Sequence, residues 1–158
     1  MAQQKLSTCL WFNGNAKEAV SFYTSVFKDA EVGKTAYYSE GAPLPKGTVL
    51  TIELRLLGHD FVALNAGPEF NFTPAISFVI NCKDQEEIDY YWHKLSADPA
   101  YEQCGWLKDK FGISWQVVPA ILNEMMTDQD ESKSERVMQA LLKMKKLNIE
   151  VLQKASKG

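Results

Sequence analysis

Apolar positions recur along the chain with two periods, and the changes between them mark out the elements. The short aromatic and apolar run LSTCLWF, residues 6–12, predicts a strand. The period then lengthens to that of a helix. Ala19, Phe22, Tyr23, Val26 and Phe27 share one face, and Asn15 and Glu18 have the spacing of a capping box. Residues 31–39 predict a second strand, followed by the loop EGAPLPKG, whose prolines and glycines sustain neither regular structure. TVLTIELRLL, residues 48–57, alternates with Ile52 and Leu54 on one face. Gly58-His59-Asp60 is the expected turn into a strand over 61–65.

After the loop AGPEFNFTP the pattern starts again. Residues 75–80 predict a strand, and Asp84 with Glu87 repeats the capping box. Ile88, Tyr91, Trp92 and Leu95 then reproduce Ala19, Phe22, Tyr23 and Val26 at a constant offset of 69 residues. Two helices built to one plan predict two structural repeats, each a strand, a helix and three strands. The second repeat closes on CGWLKDKFGISWQVVP, residues 104–119, which reads as a hairpin turning at Gly112. A period of two puts Ile113, Trp115 and Val117 on one face and Ser114, Gln116 and Val118 on the other. Gln116, in an otherwise apolar arm, must find a hydrogen-bond partner or line a cavity.

The predicted fold class is α+β, with modules over about 6–65 and 74–119 forming a domain of residues 1–119. Residues 120–158 are a helical extension of the same domain. It contains a helix over 120–126, a second opening on a Ser132/Glu135 capping box, and a short one over 147–152. In the second of these, Val137, Leu141 and Met144 form a stripe with Met138 and Leu142 beside it, and that stripe needs covering by the domain or by a second subunit.

Composition narrows the class. A chain of 158 residues fits one compact domain, and 46% hydrophobic with 23% charged residues excludes disordered and fibrous classes. No apolar run approaches the roughly 20 residues that cross a bilayer. MAQQKLSTCLWF lacks the extended apolar segment of a signal peptide, so a cytoplasmic location is expected, with no membrane partner. Cys9, Cys82 and Cys104 are odd in number and lack CxxC spacing, which argues against a disulfide framework and a structural zinc site. A net charge of -3 gives no footprint for nucleic acid, and the basic excess within 129–158 reads as a solvated helix face.

Three stretches carry a resemblance. CLWFNGNAKEAVSFYTSVF, FVALNAGPEFNFTPAISF, and QCGWLKDKFGISWQVVP followed by RVMQALLKMKKLNI are similar to the PhnB-like branch of the vicinal oxygen chelate superfamily, which includes glyoxalases and bleomycin-resistance proteins. The likeness spans about residues 6–152. It implies the glyoxalase/bleomycin resistance fold, two βαβββ modules whose curved mixed sheets enclose a cavity, and it brings the label 3-demethylubiquinone-9 3-methyltransferase. Metal-using members of the superfamily place a histidine or glutamine near the start of the first strand, an acid on the fourth, a histidine at the start of the fifth and a glutamate on the eighth. The matching positions are Ser7, a residue near Leu64 or Asn65, Ala75 and Gln116. Of these only Gln116 is a recognised ligand type, and it is neutral, whereas a divalent ion calls for carboxylate or imidazole donors. The resemblance therefore implies neither a metal nor another cofactor. A doubly wound methyltransferase needs a glycine-rich turn after its first strand, and Asn13-Gly14-Asn15 offers a single glycine.

In the family's register Cys9 and Trp11 face the cavity, as do Ala75, Ser77 and Val79. With Asn65, Trp106, Ser114 and Gln116 they describe a small pocket with an aromatic wall and a few hydroxyl and amide groups. The alternative is a filled core in which these groups satisfy one another. Cys9 has no histidine near it in sequence to activate it. Glu53 falls in an exposed alternation, and Asp109 sits in a turn where aspartate bonds its own backbone. The leading reading is a homodimeric, metal-independent protein that binds a small, aromatic or partly apolar molecule. The alternatives are an enzyme of the glyoxalase/dioxygenase class with an atypical or absent metal set, the methyltransferase of the label, and a structural dimer whose C-terminal helices recruit another protein.

Overall fold

The computed structural model describes residues 5–158; the first four residues of the stretch read as lacking a signal peptide lie outside the described residues. The chain divides into two compact units, up to Asn71 and from Phe72 onward.

The first unit runs β1 (Thr8–Asn13), α1 (Ala16–Val26), β2 (Glu31–Tyr37), β3 (Val49–Leu56) and β4 (His59–Ala66). Its sheet has the order β1-β4-β3-β2, with β1 parallel to β4 and the other pairs antiparallel. Strand alternation decides the layering. Leu10, Phe12, Ile52, Leu54, Leu56, Phe61 and Ala63 are buried, as are Ala16, Ala19, Val20, Tyr23 and Val26 of α1, so one sheet face packs on the helix. The β3–β4 turn lies at Leu57-Gly58, one residue earlier than expected, and both residues have positive φ, 48° and 76°. A two-residue hairpin of this twist requires that at both positions.

The second unit opens with β5 (Phe78–Cys82) and α2 (Gln85–Leu95), then reaches β6 (Trp106–Lys108) and β7 (Ser114–Pro119). Its sheet has the order β5-β7-β6, with β5 parallel and β6 antiparallel to β7. The plan of three strands after the helix is corrected here: among the described residues β6 and β7 follow α2, and the chain between forms a 3₁₀ turn at Pro99–Tyr101. Pro99 has no N–H for a ladder, and the Asp98 carboxylate holds the turn by accepting from Ala100 N at 2.9 Å. Strand β5 also begins three residues later than Ala75. Ile88, Tyr91, Trp92 and Leu95 are buried from α2, and Ile80, Cys82, Trp115 and Val117 from the sheet.

The helix caps follow local chemistry with two departures. Asp84 accepts from Glu87 N at 2.9 Å, and Glu87 reaches back to Lys83 N at 2.8 Å. Asn15, by contrast, makes no side-chain cap bond. The Ser132/Glu135 box is also replaced. Helix α4 (Glu131–Leu141) begins earlier, with Asp130 accepting from Ser132 N at 3.0 Å. Around it lie α3 (Leu122–Met126) and α5 (Ile149–Lys157). Val118 of β7, Val137, Leu147 and Leu152 form a buried cluster with Leu141 and Met144 packed on it, so this extension is part of the second unit and packs on β7. It is stitched there by Cys104 N to Met144 O and Gly105 N to Lys145 O, both 2.8 Å, and by Gln85 to Leu147 O and Ile149 N.

Two predictions follow from these anchors. Asp109 is 3% exposed and accepts from Phe111 N, Ile113 N and Trp115 Nε1 at 2.9, 3.0 and 2.9 Å. Stranding a buried donor costs about 1–3 kcal/mol, so Asp109→Ala is expected to lower unfolding free energy by about 3 kcal/mol in urea titration; a loss below about 1 kcal/mol would contradict the assignment. Asp89 is bonded by Lys146 Nζ at 2.6 Å and then by Gln85, which hold its carboxyl below the ordinary carboxylate range. A pKa lowered on folding stabilises fully above the unfolded value of about 3.9 and is lost as pH falls through the folded one. Amide protection factors in α5, taken relative to intrinsic exchange, should therefore be unchanged from pH 7 to about 5 and fall below about 4. Asp89→Asn should remove that step.

Candidate functional site

Each sheet leaves one face uncovered by its own helix. In the first unit the open face carries Cys9 and Trp11 from β1, Thr51, Glu53 and Arg55 from β3, and Asp60, Val62 and Leu64 from β4. Ladder register sets them in rows: Trp11, Leu64 and Thr51; then Cys9, Val62 and Glu53; then Asp60 and Arg55, which form an ion pair. That pairing raises the Arg55 pKa, chiefly through the Asp60 hydrogen bond. A groove of about 230 Å³ opens here, lined by Ser7, Lys34, Glu53, Asp60 and Val62 among others. Glu53 Oε2 accepts from Lys34 N at 3.1 Å.

Trp11 donates its indole N–H to Gly67 O at 2.8 Å, and Phe70 meets it edge-on with centroids 4.9 Å apart. The sequence reading missed Phe70. Its signal was an aromatic side chain three residues after Gly67 in the loop leaving β4. Cys9 is exposed, yet partial desolvation of its thiol pushes the pKa above the ordinary value, which keeps it protonated at neutral pH. Cys82, inside the second unit, is pushed up to about 12 by burial and then by Glu87 and Asp84.

Asn65 is a correction. It lies on the α1 side of β4, 6% exposed, because the alternation that turns Leu64 outward turns its neighbour in. Its Oδ1 accepts from Ala16 N at 3.3 Å and its Nδ2 donates to Val49 O at 3.0 Å. Asn65 therefore does for α1 what Asn15 was expected to do.

In the second unit the open face carries Val79 and Asn81 from β5, Trp106 and Lys108 from β6, and Ser114 and Gln116 from β7. Gln116 Nε2 donates to Ser77 Oγ at 2.8 Å across to the residue just ahead of β5. Trp106, directly opposite Gln116 in the ladder, is half-buried, whereas Ser114 is only 3% exposed. The Lys108 ammonium stands 3.8 Å from the Tyr101 ring centre. The seven residues predicted to form one pocket thus divide as Cys9 and Trp11 on one open face, Ser77, Trp106, Ser114 and Gln116 on the other, and Asn65 turned away.

The positions that hold an ion in metal-using relatives of this fold do not fit one here. They supply the Ser7 hydroxyl, the Leu64 side chain, the Ala75 methyl and the Gln116 amide, whose Nε2 donates to Ser77 and whose neutral carbonyl oxygen is the one donor of a recognised ligand type. Among the described residues no three His, Cys, Asp or Glu side chains are placed to hold a metal. His59 sits on the α1 side, with Nε2 2.9 Å from Thr8 Oγ1 and its ring against Phe61, and His93 Nδ1 is 2.6 Å from Asp89 O.

This architecture, two mixed sheets each backed by a helix and presenting an open face, is the glyoxalase/bleomycin resistance fold of the vicinal oxygen chelate superfamily. The family model described as 3-demethylubiquinone-9 3-methyltransferase matches residues 4–118, and the chain belongs to that PhnB-like family. A Bacillus cereus PhnB protein, described as a 3-demethylubiquinone-9 3-methyltransferase, shares 38% identity over 74% of this chain and all of its own, with a TM-score of 0.62. A Pseudomonas aeruginosa protein shares the fold at 19% identity and TM-score 0.56, over 74% of this chain and 98% of its own. So does the Listeria monocytogenes fosfomycin resistance protein FosX, at 12% identity and TM-score 0.53, over 78% and 98%. A mutant of FosX has been solved with Mn(II) and a dihydroxypropylphosphonic acid. Comparison with curated proteins finds no match. No helix among the described residues is long and apolar enough to cross a membrane.

Asn65→Ala removes two hydrogen bonds, one buried and one part-buried, that join α1, β3 and β4. The variant is expected to lose about 1–3 kcal/mol by chemical denaturation. A loss within about 0.5 kcal/mol, the range of ordinary surface changes, would show that these bonds do not hold the unit.

Proposed function

We infer that this PhnB-like protein binds a small organic molecule on its open sheet faces without a metal or other cofactor. The carrying observation is the donor set: the four matched positions hold hydroxyl, alkyl and amide groups, with no carboxylate or imidazole among them. Cys9 and Trp11 on the first unit's face supply a thiol and an indole, and Ser77, Trp106 and Gln116 on the second unit's face supply an indole and weak polar groups, in each case the kind of lining expected of small-molecule sites. Ser114, on the second face, is too buried for direct contact and serves as support. Sequestration of a ligand needs no catalytic group, and no activated nucleophile stands on either face, since the Cys9 thiol is held protonated. Methyl transfer, named in the family's description, lacks support in the single-glycine turn between β1 and α1. The protein acts as a cytoplasmic homodimer; support for the dimer comes from apolar side chains left exposed, Val79 at 51% and Leu142 at 57%.

Thermal unfolding with a panel of divalent ions tests the metal-free reading. An ion held at a hundredfold its Kd adds about 2.7 kcal/mol, which for a chain of this size raises Tm by roughly 5–10 °C. No such rise is expected with Mn²⁺, Zn²⁺, Ni²⁺ or Fe²⁺. A rise of that size that disappears in Gln116→Ala would refute the reading.

A further inference from the structure

The open face of the first sheet is graded along its strands. One end is apolar, where Trp11 and Leu64 are ladder neighbours and Phe70 rests edge-on against Trp11 at an interplanar angle of 84°. Phe70 is still 64% exposed, so the two rings form an open corner whose walls a third ring completes in the edge-to-face geometry aromatic groups favour. The other end is ionic, and its charges are not equivalent. Asp60 is taken up by Arg55. Glu53 has one oxygen on the Lys34 N–H and, among the described residues, no side-chain cation. It lines the groove beside the Ser7 hydroxyl and Val62. Lys34 contributes a competing positive charge to the same lining.

The two ends are close enough for one small ligand. Thr51 lies opposite Leu64 and Glu53 is two residues further along β3, so Leu64 and Glu53 are diagonal neighbours, about 7–8 Å apart. Resting on the reading that this face binds small molecules, we propose that its ligand is an arylalkylammonium. The aromatic ring enters the Trp11–Phe70 corner over Leu64, and a tether of about three carbons carries the ammonium to the Glu53 carboxylate. Phe70 is then a ligand-contacting residue.

Three probes that differ only in their end group test this: 3-phenylpropylammonium, 3-phenylpropan-1-ol and 3-phenylpropanoate. Each is titrated at low salt into the ¹⁵N-labelled full chain and into Glu53→Gln and Phe70→Ala, following the Trp11 indole and Leu64 amide signals. The ammonium is expected to bind about three- to fivefold tighter than the alcohol, the scale of an exposed ion pair, and Glu53→Gln should level the two. Phe70→Ala, in an exposed loop, should weaken both by about two- to tenfold. Equal binding of ammonium and alcohol, a preference that survives Glu53→Gln, or tightest binding of the carboxylate would overturn the charge assignment while leaving small-molecule binding at this face intact. Absence of any shift at Trp11 or Leu64 with all three probes would overturn the aromatic seat. The broader binding reading falls only if the purified protein also carries no organic molecule by mass.

Discussion

The second unit depends on the Asp109 carboxylate. Trp106 and Gln116 face each other in the hairpin only because the turn from Asp109 to Gly112 closes in one way, and Asp109 dictates it by accepting two backbone N–H groups with one oxygen. Its other oxygen takes the Trp115 indole N–H, which fixes that ring on the α2 side against Phe78. Since β7 is the central strand of its sheet, the orientation of Trp115 decides that Gln116 points the other way. A buried carboxylate is costly unless its lone pairs are met, and here they are met by the loop it organises.

Much of this was legible in the sequence. The 69-residue offset and the capping box at Asp84 pick out both helices because apolar spacing and short-range cap chemistry are local signals. The alternation around Trp115 and Gln116 likewise gives both faces of β7. What failed was non-local. Asn65 carries the polar side chain expected of a cavity, yet its partner at Ala16 is 49 residues away and no local pattern announces it. A third strand after α2 was expected from repetition of the first half, against the turn chemistry of Asp98-Pro99. Phe70 was overlooked because loop residues have no periodicity, and its contact with Trp11 depends on the path of the chain after β4.

The functional conclusion rests on substitution within a kept frame. The family's fold survives while the side chains at its metal positions are a hydroxyl, alkyl groups and an amide, and the two histidines are turned to structural duties at Thr8 and at the α2 backbone. What remains on the open faces is indole, thiol and amide surface with one underused carboxylate. In the proposed reading such surfaces hold a ligand through shape and a few directed contacts.

A native mass spectrum of protein purified without chelator or metal-affinity resin tests that claim most directly, because one spectrum reports subunit number, bound metal and retained organic molecules together. The account predicts a dimer without metal that carries an organic adduct when isolated from cells. One divalent ion per subunit, with no organic adduct, would contradict it and would mean that side chains outside the four matched positions build a metal centre.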